Sequence, residues 1–497
     1  MMVEKKYTYT ANNKIGDMSA EEFRNYGHQM IDWIADYLSN IEKYPVLSQV
    51  NPGDIKRSLP SAPPIQGESM ENIFKDVEAK ILPGITHWNH PGFMAYFNST
   101  SSGPGILAEL LSAAFNANGM LWRTSPALTE LEEVTLNWFR KMLGLKDDFW
   151  GIIYDTASVS TMHAIAAARE QIEGVEIRRN GLTAKGNIRG FRFYASEQAH
   201  SSIDKASITL GFGIEGLRKI PVDKEFRMIP SELKSAIEED RKNGWTPFCV
   251  VATVGTTSTT SIDPVDKIAD ICEKEKLWLH VDSAHAGVTA IIPEMRYIFN
   301  GVERADSLVV NPHKWMFTPV DLSVLLTRKK NILKRAFSLV PEYLKSSGDA
   351  EVENYMDYGI QLGRRFRALK LWFIIRYFGT EGIANRLKEH LRLGKIFSDW
   401  IINNPNFELM APVPFSTTCF RAYPKGIIDE TNLDVLNEAL LNNVNSTGKI
   451  FLTHTKLNGK YVIRLVISGL RTEGRHITLA EQIIQTKLDE LIAKGSN

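Results

Sequence analysis

From about residue 103 the chain alternates short apolar runs, rich in Val, Ile and aromatics, with longer stretches in which apolar positions recur every three or four residues. The runs "GIIY" (151–154), "FRFYAS" (191–196), "FCVVATV" (248–254), "LWLHVD" (277–282) and "DSLVV" (306–310) predict strands. "TMHAIAAARE", "IPSELKSAIEEDRKN" and "PVDKIADICEKE" between them predict helices. Such alternation implies an α/β fold with a mostly parallel sheet covered by helices on both faces. Ligands of such sheets sit beyond the carboxyl ends of the strands, so the residues just after each run carry the candidate chemistry.

The flanks read differently. "SAEEFRNYGHQMIDWIADYLSNIE" has Ser19 as a helix cap with Glu22 three residues on, and "NPGDIKRSLPSAPPIQGE" (51–68) reads as an extended arm. Helix and arm could wrap a neighbouring subunit or pack on their own chain. After "GRRFRALKLWFIIRYFGTEG" the order changes again, and "KYVIRLVIS" (460–468) with flanking helices suggests a smaller α+β unit. We therefore divide the chain into an N-terminal helical and extended segment (1–102), a large domain (103–391) and a small C-terminal domain (392–497).

Composition narrows the partners. At 497 residues the chain can bury a substantial site, and 58 Lys+Arg against 58 Asp+Glu argues against nucleic-acid or polybasic membrane binding. Small molecules are the expected ligands. Cys249, Cys272 and Cys419 are too few and too scattered for a disulfide framework or a CxxC zinc site. The start "MMVEKKYTYT" lacks an apolar signal core, and the greasiest stretch (369–378) is short and contains Arg376. A soluble, cytoplasmic protein is expected.

Each strand end offers one polar group. Thr156, Ala157 and Ser158 open a helix, a seat for an anion such as phosphate. His200 follows the second run, and a hydroxyl-rich turn, "TTSTTSIDP", follows the third. Strand period puts Trp278, His280 and Asp282 on one face, so a carboxylate ends a strand that reads as buried on both sides. Asp282 then needs a partner: a metal shared with His280 and His285, a protonated ring nitrogen, or an arginine. Lys314 closes the set after the last run. An amine, a carboxylate, a flat side chain and a helix N-terminus are together what pyridoxal phosphate needs.

The blocks "HWNHPGFMAYF", "SPALTELE", "TASVSTMHAIAAARE", "EQAHSS", "VGTTSTTSIDP", "HVDSAHAG", "NPHKW" and "GRRFRALKLWF" resemble, in order and spacing, the aromatic L-amino acid decarboxylases of the group II pyridoxal-phosphate decarboxylases. The likeness runs from about residue 19 to about residue 485. It implies a type I aminotransferase-like fold, a homodimer and loss of CO2 from an aromatic amino acid to leave an arylalkylamine. It further implies Lys314 as the Schiff-base lysine, Asp282 beside the pyridine nitrogen and His200 stacked on the ring. Ala157, Ser158, Asn311 and His313 would surround the phosphate, with Ala284 against the ring and Thr257 near ring and lysine. Trp88, Tyr96, Phe97, Ser99 and Gly363 would line the substrate pocket, and no metal is implied.

The stretch 340–366 resembles the family's catalytic loop, and Tyr355 falls where the decarboxylases carry a proton-donating tyrosine. Related aldehyde synthases have phenylalanine there, so an amine product is favoured over an aldehyde. Three positions depart from the pattern: Asn98 for a common proline, and Met120 and His285 for common aromatics. An aldehyde synthase or an acidic amino acid decarboxylase is the alternative reading, although acidic substrates call for a pocket arginine where Trp88, Tyr96 and Phe97 stand.

Overall fold

The computed structural model describes residues 16–172, 175–182, 190–339, 352–425 and 429–495. The start of the chain and the 340–351 part of the expected catalytic loop lie outside the described residues. The described chain divides into two compact units, 1–87 and 88–497.

In the first unit the helix Ala20–Ser39 begins as expected: Ser19 Oγ accepts from Glu22 N–H (3.2 Å) and Glu22 Oε2 accepts from Ser19 N–H (2.8 Å). None of its residues is buried. Tyr26 and Trp33 reach from it to Glu71 and Glu78 (both 2.7 Å). The expected extended arm differs in one place. Asp54–Ser58 is a short helix, because Asp54 accepts from Asn51 N–H and Gly53, at φ 92°, turns the chain into it.

The second unit holds a seven-stranded sheet of β1 (Trp150–Tyr154), β2 (Gly190–Ser196), β3 (Leu217–Ile220), β4 (Trp245–Thr253), β5 (Trp278–Asp282), β6 (Ser307–Val310) and β7 (Ser323–Thr327), in the order β1-β7-β6-β5-β4-β2-β3. Neighbours pair in parallel except β7, which runs against both β1 and β6. Alternate residues serve opposite faces: Leu279 and Val281 join one apolar core and Trp278 the other. All five β5 residues are buried, as a central strand requires. The helical stretch Arg367–Asn403, interrupted at Gly379 (φ 66°), leads to a four-stranded antiparallel sheet of β8 (Phe407–Leu409), β9 (Thr417–Ala422), β10 (Thr453–Leu457) and β11 (Lys460–Val466).

One buried ion pair ties this unit together across the sequence. Arg364 Nη2 donates to Glu132 Oε1 (2.7 Å) and to the carbonyl of Ile153 (2.9 Å), while Ile153 N–H donates to the same carboxylate (2.9 Å). Both side chains are under 8% exposed. Glu132→Ala leaves the guanidinium buried and unpaired, so thermal unfolding should reveal a loss of about 3–5 kcal/mol. An unchanged melting temperature would contradict this assignment.

Candidate active site

The strand ends converge on one cavity of about 210 Å3. Asp282, the last residue of β5, is buried, and its Oδ1 accepts from Ala284 N–H (3.1 Å). The helix Ala157–Glu170 starts just past β1; Thr156 caps it with extended backbone but makes no side-chain cap bond. A helix start left in that state presents N–H donors and partial positive charge to an anion. Lys314 lies in the single turn Pro312–Trp315 after β6, with Asn311 as its cap. Asp282, Ala157, Ser158, Lys314, His200, Thr257, Ala284, Asn311, His313 and Phe97 all line the cavity.

The hydrogen bonds fix what these groups can offer. His200 Nδ1 accepts from Ser202 N–H (3.1 Å) and meets Ser202 Oγ (2.8 Å), which leaves the proton on Nε2 and fixes the ring. His313 Nδ1 accepts from Leu322 N–H (2.8 Å), so Nε2 carries its proton too. As oriented, the Asn311 amide turns its NH2 toward that Nε2 (3.3 Å) and leaves Oδ1 buried without a partner. Turning the amide over pairs Oδ1 with Nε2–H and puts the NH2 where Oδ1 was, as a donor for an anion. Arg464, on β11, donates to the Thr257 and Ser258 carbonyls (both 2.8 Å), holding the hydroxyl-rich turn after β4.

Burial pushes the Lys314 amine below the usual lysine range, and only the nearby Asp282 carboxylate opposes that. Burial also lowers His200, helped by the positive charge of Lys314 and opposed by Asp282. The cavity thus favours a neutral, nucleophilic amine.

His280 does not share the site with Asp282 and His285 as a metal ligand. Its Nδ1 meets Ser307 Oγ (2.8 Å) and its Nε2 meets Thr161 Oγ1 (3.3 Å). Among the described residues no group of three or more His, Cys, Asp or Glu side chains could hold a metal ion. Burial depresses His280 to about 4, and His163 and His390 to about 3, from an ordinary 6.5. The unfolded chain binds protons that these folded imidazoles refuse, so stability is whole above pH 6.5 and falls as the pH drops toward 3–4. Each contributes a slope of about 1.4 kcal/mol per pH unit in that window. Melting temperatures between pH 7 and pH 5 should fall accordingly; a flat profile would contradict neutral burial.

Not every expected residue reaches the cavity. Left-handed backbone at Tyr96 (φ 51°) separates the pair: Phe97 lines the cavity, whereas Tyr96 is exposed and stacks on Trp88 (5.9 Å, 17°). Ser99 is half-buried outside the lining, and Gly363 is exposed near Asn118. Tyr355 is buried against Trp150 (5.9 Å) and beneath the Arg364 guanidinium (4.4 Å), and its hydroxyl has no hydrogen-bond partner. Ser202, Thr253 and Gly255 line the cavity without having been singled out. Their signal was faint: each lies within two residues of an expected site residue or its strand end, in a turn whose hydroxyls ordinary turn chemistry also explains.

Known proteins match this chain in sequence and fold. The pyridoxal-dependent decarboxylase conserved domain matches residues 52–423. Tryptophan decarboxylase 2 of Oryza sativa subsp. japonica is 39% identical over 487 residues, covering 96% of this chain and 96% of that protein. Phenylacetaldehyde synthase of Arabidopsis thaliana is 40% identical over 487 residues, covering 96% and 98%. A crystal structure of Oryza sativa TDC with PLP and tryptamine superposes with a TM-score of 0.92 at 33% identity, covering 96% of this chain and 99% of that one.

Proposed function

The chain belongs to the pyridoxal-dependent decarboxylase family, and from that premise we propose that its cavity binds an aromatic L-amino acid and releases CO2 and the corresponding amine. It is a carboxy-lyase that uses pyridoxal 5'-phosphate. The observation that carries the reading is the meeting, in one cavity, of the Lys314 amine, the Asp282 carboxylate, the His200 ring and an uncapped helix start. Bound there, pyridoxal phosphate supplies an aldehyde and an electron-withdrawing ring. Lys314 would contribute the amine that holds that aldehyde, its pKa lowered by burial. Asp282 would hold a proton on the ring nitrogen, and His200 and Ala284 would hold the ring. The helix start at Ala157 and Ser158, with Asn311 and His313, takes the phosphate. Phe97 offers apolar surface to the substrate, and dry surroundings favour loss of a charged carboxylate as neutral CO2.

Tyr355 is proposed as the group that returns a proton to Cα. It does not line the cavity of its own chain, so in this role Tyr355 would serve the cavity of a second copy or reach its own by a change of its own position. A homodimer is supported by apolar side chains left exposed in each unit, among them Phe23 and Ile73 in the first and Leu107, Leu110 and Phe115 in the second. The three cysteines are free and buried, which supports a reducing, cytoplasmic setting. No helix among the described residues is long and apolar enough to cross a membrane.

Incubation of holoenzyme with an equimolar mixture of aromatic amino acids, with products identified by mass, tests the proposal directly. Amine is expected; aldehyde with ammonia and peroxide would select the synthase reading instead. Tyr355→Phe should divert turnover from amine toward aldehyde, and an unchanged amine yield would remove Tyr355 from the mechanism.

A further inference from the structure

His285 is 2% exposed at the wall of the cavity, and neither ring nitrogen has a hydrogen-bond partner. Its nitrogens therefore do not orient it, and both of its faces are stacked. One face meets Phe97, with centroids 3.7 Å apart and planes 10° from parallel; the other meets Trp315 at 4.7 Å and 6°. Trp315 is itself immobilised: it is wholly buried, and its Nε1–H donates to His390 Nδ1 (2.8 Å), whose Nε2–H donates to the Gly469 carbonyl (3.1 Å). Phe97 follows Tyr96, whose backbone sits in the left-handed region that L-residues avoid.

We infer that His285 is a positioning residue that fixes the plane of the Phe97 ring by stacking it on the anchored Trp315. The Lys314 Nζ and the Arg464 guanidinium also meet Phe97, each 5.5 Å from its centroid. A charged imidazole in the stack would be repelled by that guanidinium. Burial, foremost, holds the His285 pKa well below the usual imidazole range, which disfavours a charged ring in the stack.

This inference rests on the proposed substrate, whose ring packs on Phe97. Removing His285 loosens the substrate's seat without touching the bonds that react, so binding weakens while the chemical step keeps its rate. In the holoenzyme, His285→Ala should raise KM, and the Kd of the amine product measured by calorimetry, about tenfold, the scale of one aromatic pair. kcat and the cofactor's visible absorbance should stay within about twofold. His285→Phe, which keeps a flat ring and removes both nitrogens, should restore binding. His285→Leu, which fills the volume without a flat ring and keeps the test open if the alanine variant does not fold, should bind as weakly as alanine.

Unchanged Kd in the alanine variant, or full restoration by leucine, overturns the inference. So does failure of phenylalanine to restore, which would transfer the role to the nitrogens. If the wild-type holoenzyme formed no amine from any aromatic amino acid, that would instead overturn the proposed function, whatever these variants do.

Discussion

Lys314→Ala is expected to lower kcat/KM by about four orders of magnitude or more, because it removes the one amine positioned to bond the cofactor covalently. Desolvation drives the pKa of that amine down, and Asp282 is the counterweight. Borohydride reduction of the wild-type holoenzyme followed by tryptic mapping should find the adduct on the peptide containing Lys314. The alanine variant should carry none. An adduct on another lysine, or an active alanine variant, would break the proposed assignment at its centre.

Asp282→Asn is expected to cost about 10^2–10^3-fold in kcat, the scale for removing one preorganised electrostatic partner of a developing charge. An amide of the same shape keeps the bond from Ala284 N–H but cannot hold a proton on the ring nitrogen. The cofactor should still bind, since Lys314 and the helix start are untouched. Its visible absorbance should therefore survive while turnover is lost. A second readout follows from sign: the Asp282 charge is what raises the amine of Lys314 against desolvation, so the variant's unloaded amine should titrate at lower pH than that of the wild type. Equal turnover in the two proteins would show that the ring nitrogen does not depend on this carboxylate.

Much of the fold was legible because local rules and tertiary packing agree. The runs that predict strands at 151–154, 191–196, 248–254, 277–282 and 306–310 are β1, β2, β4, β5 and β6. β3, β7, β8, β9 and β10 were not picked out from sequence. β3 is "LRKI", a four-residue edge strand with two polar residues, and β7 is five residues paired antiparallel between β1 and β6, a place fixed only by its neighbours. The helix at Asp54–Ser58 was hidden for the opposite reason: prolines and glycines punctuate 51–68, yet Asn51 N–H donates to the Asp54 carboxylate and Asp54 N–H donates back to the Asn51 carbonyl, closing the turn.

The site divides along the same line. Asp282, Lys314, His200 and the 157–158 helix start were readable because each follows directly on a strand, and a sheet with parallel strands delivers its strand ends to one edge. Chemistry plus order along the chain was enough for these. Whether neighbouring residues point together or apart depends on backbone dihedrals and on contacts between distant segments, which no local pattern encodes. The left-handed turn at Tyr96 sends one aromatic into the cavity and its neighbour out. His280 and Asp282 share a strand face but take different partners, and His285, chemically a candidate ligand, is used as a flat ring between Phe97 and Trp315. Residue type and order set which groups exist and which edge they reach; long-range packing decided which of them meet, because each orientation is won by the sum of contacts with chain far away in sequence.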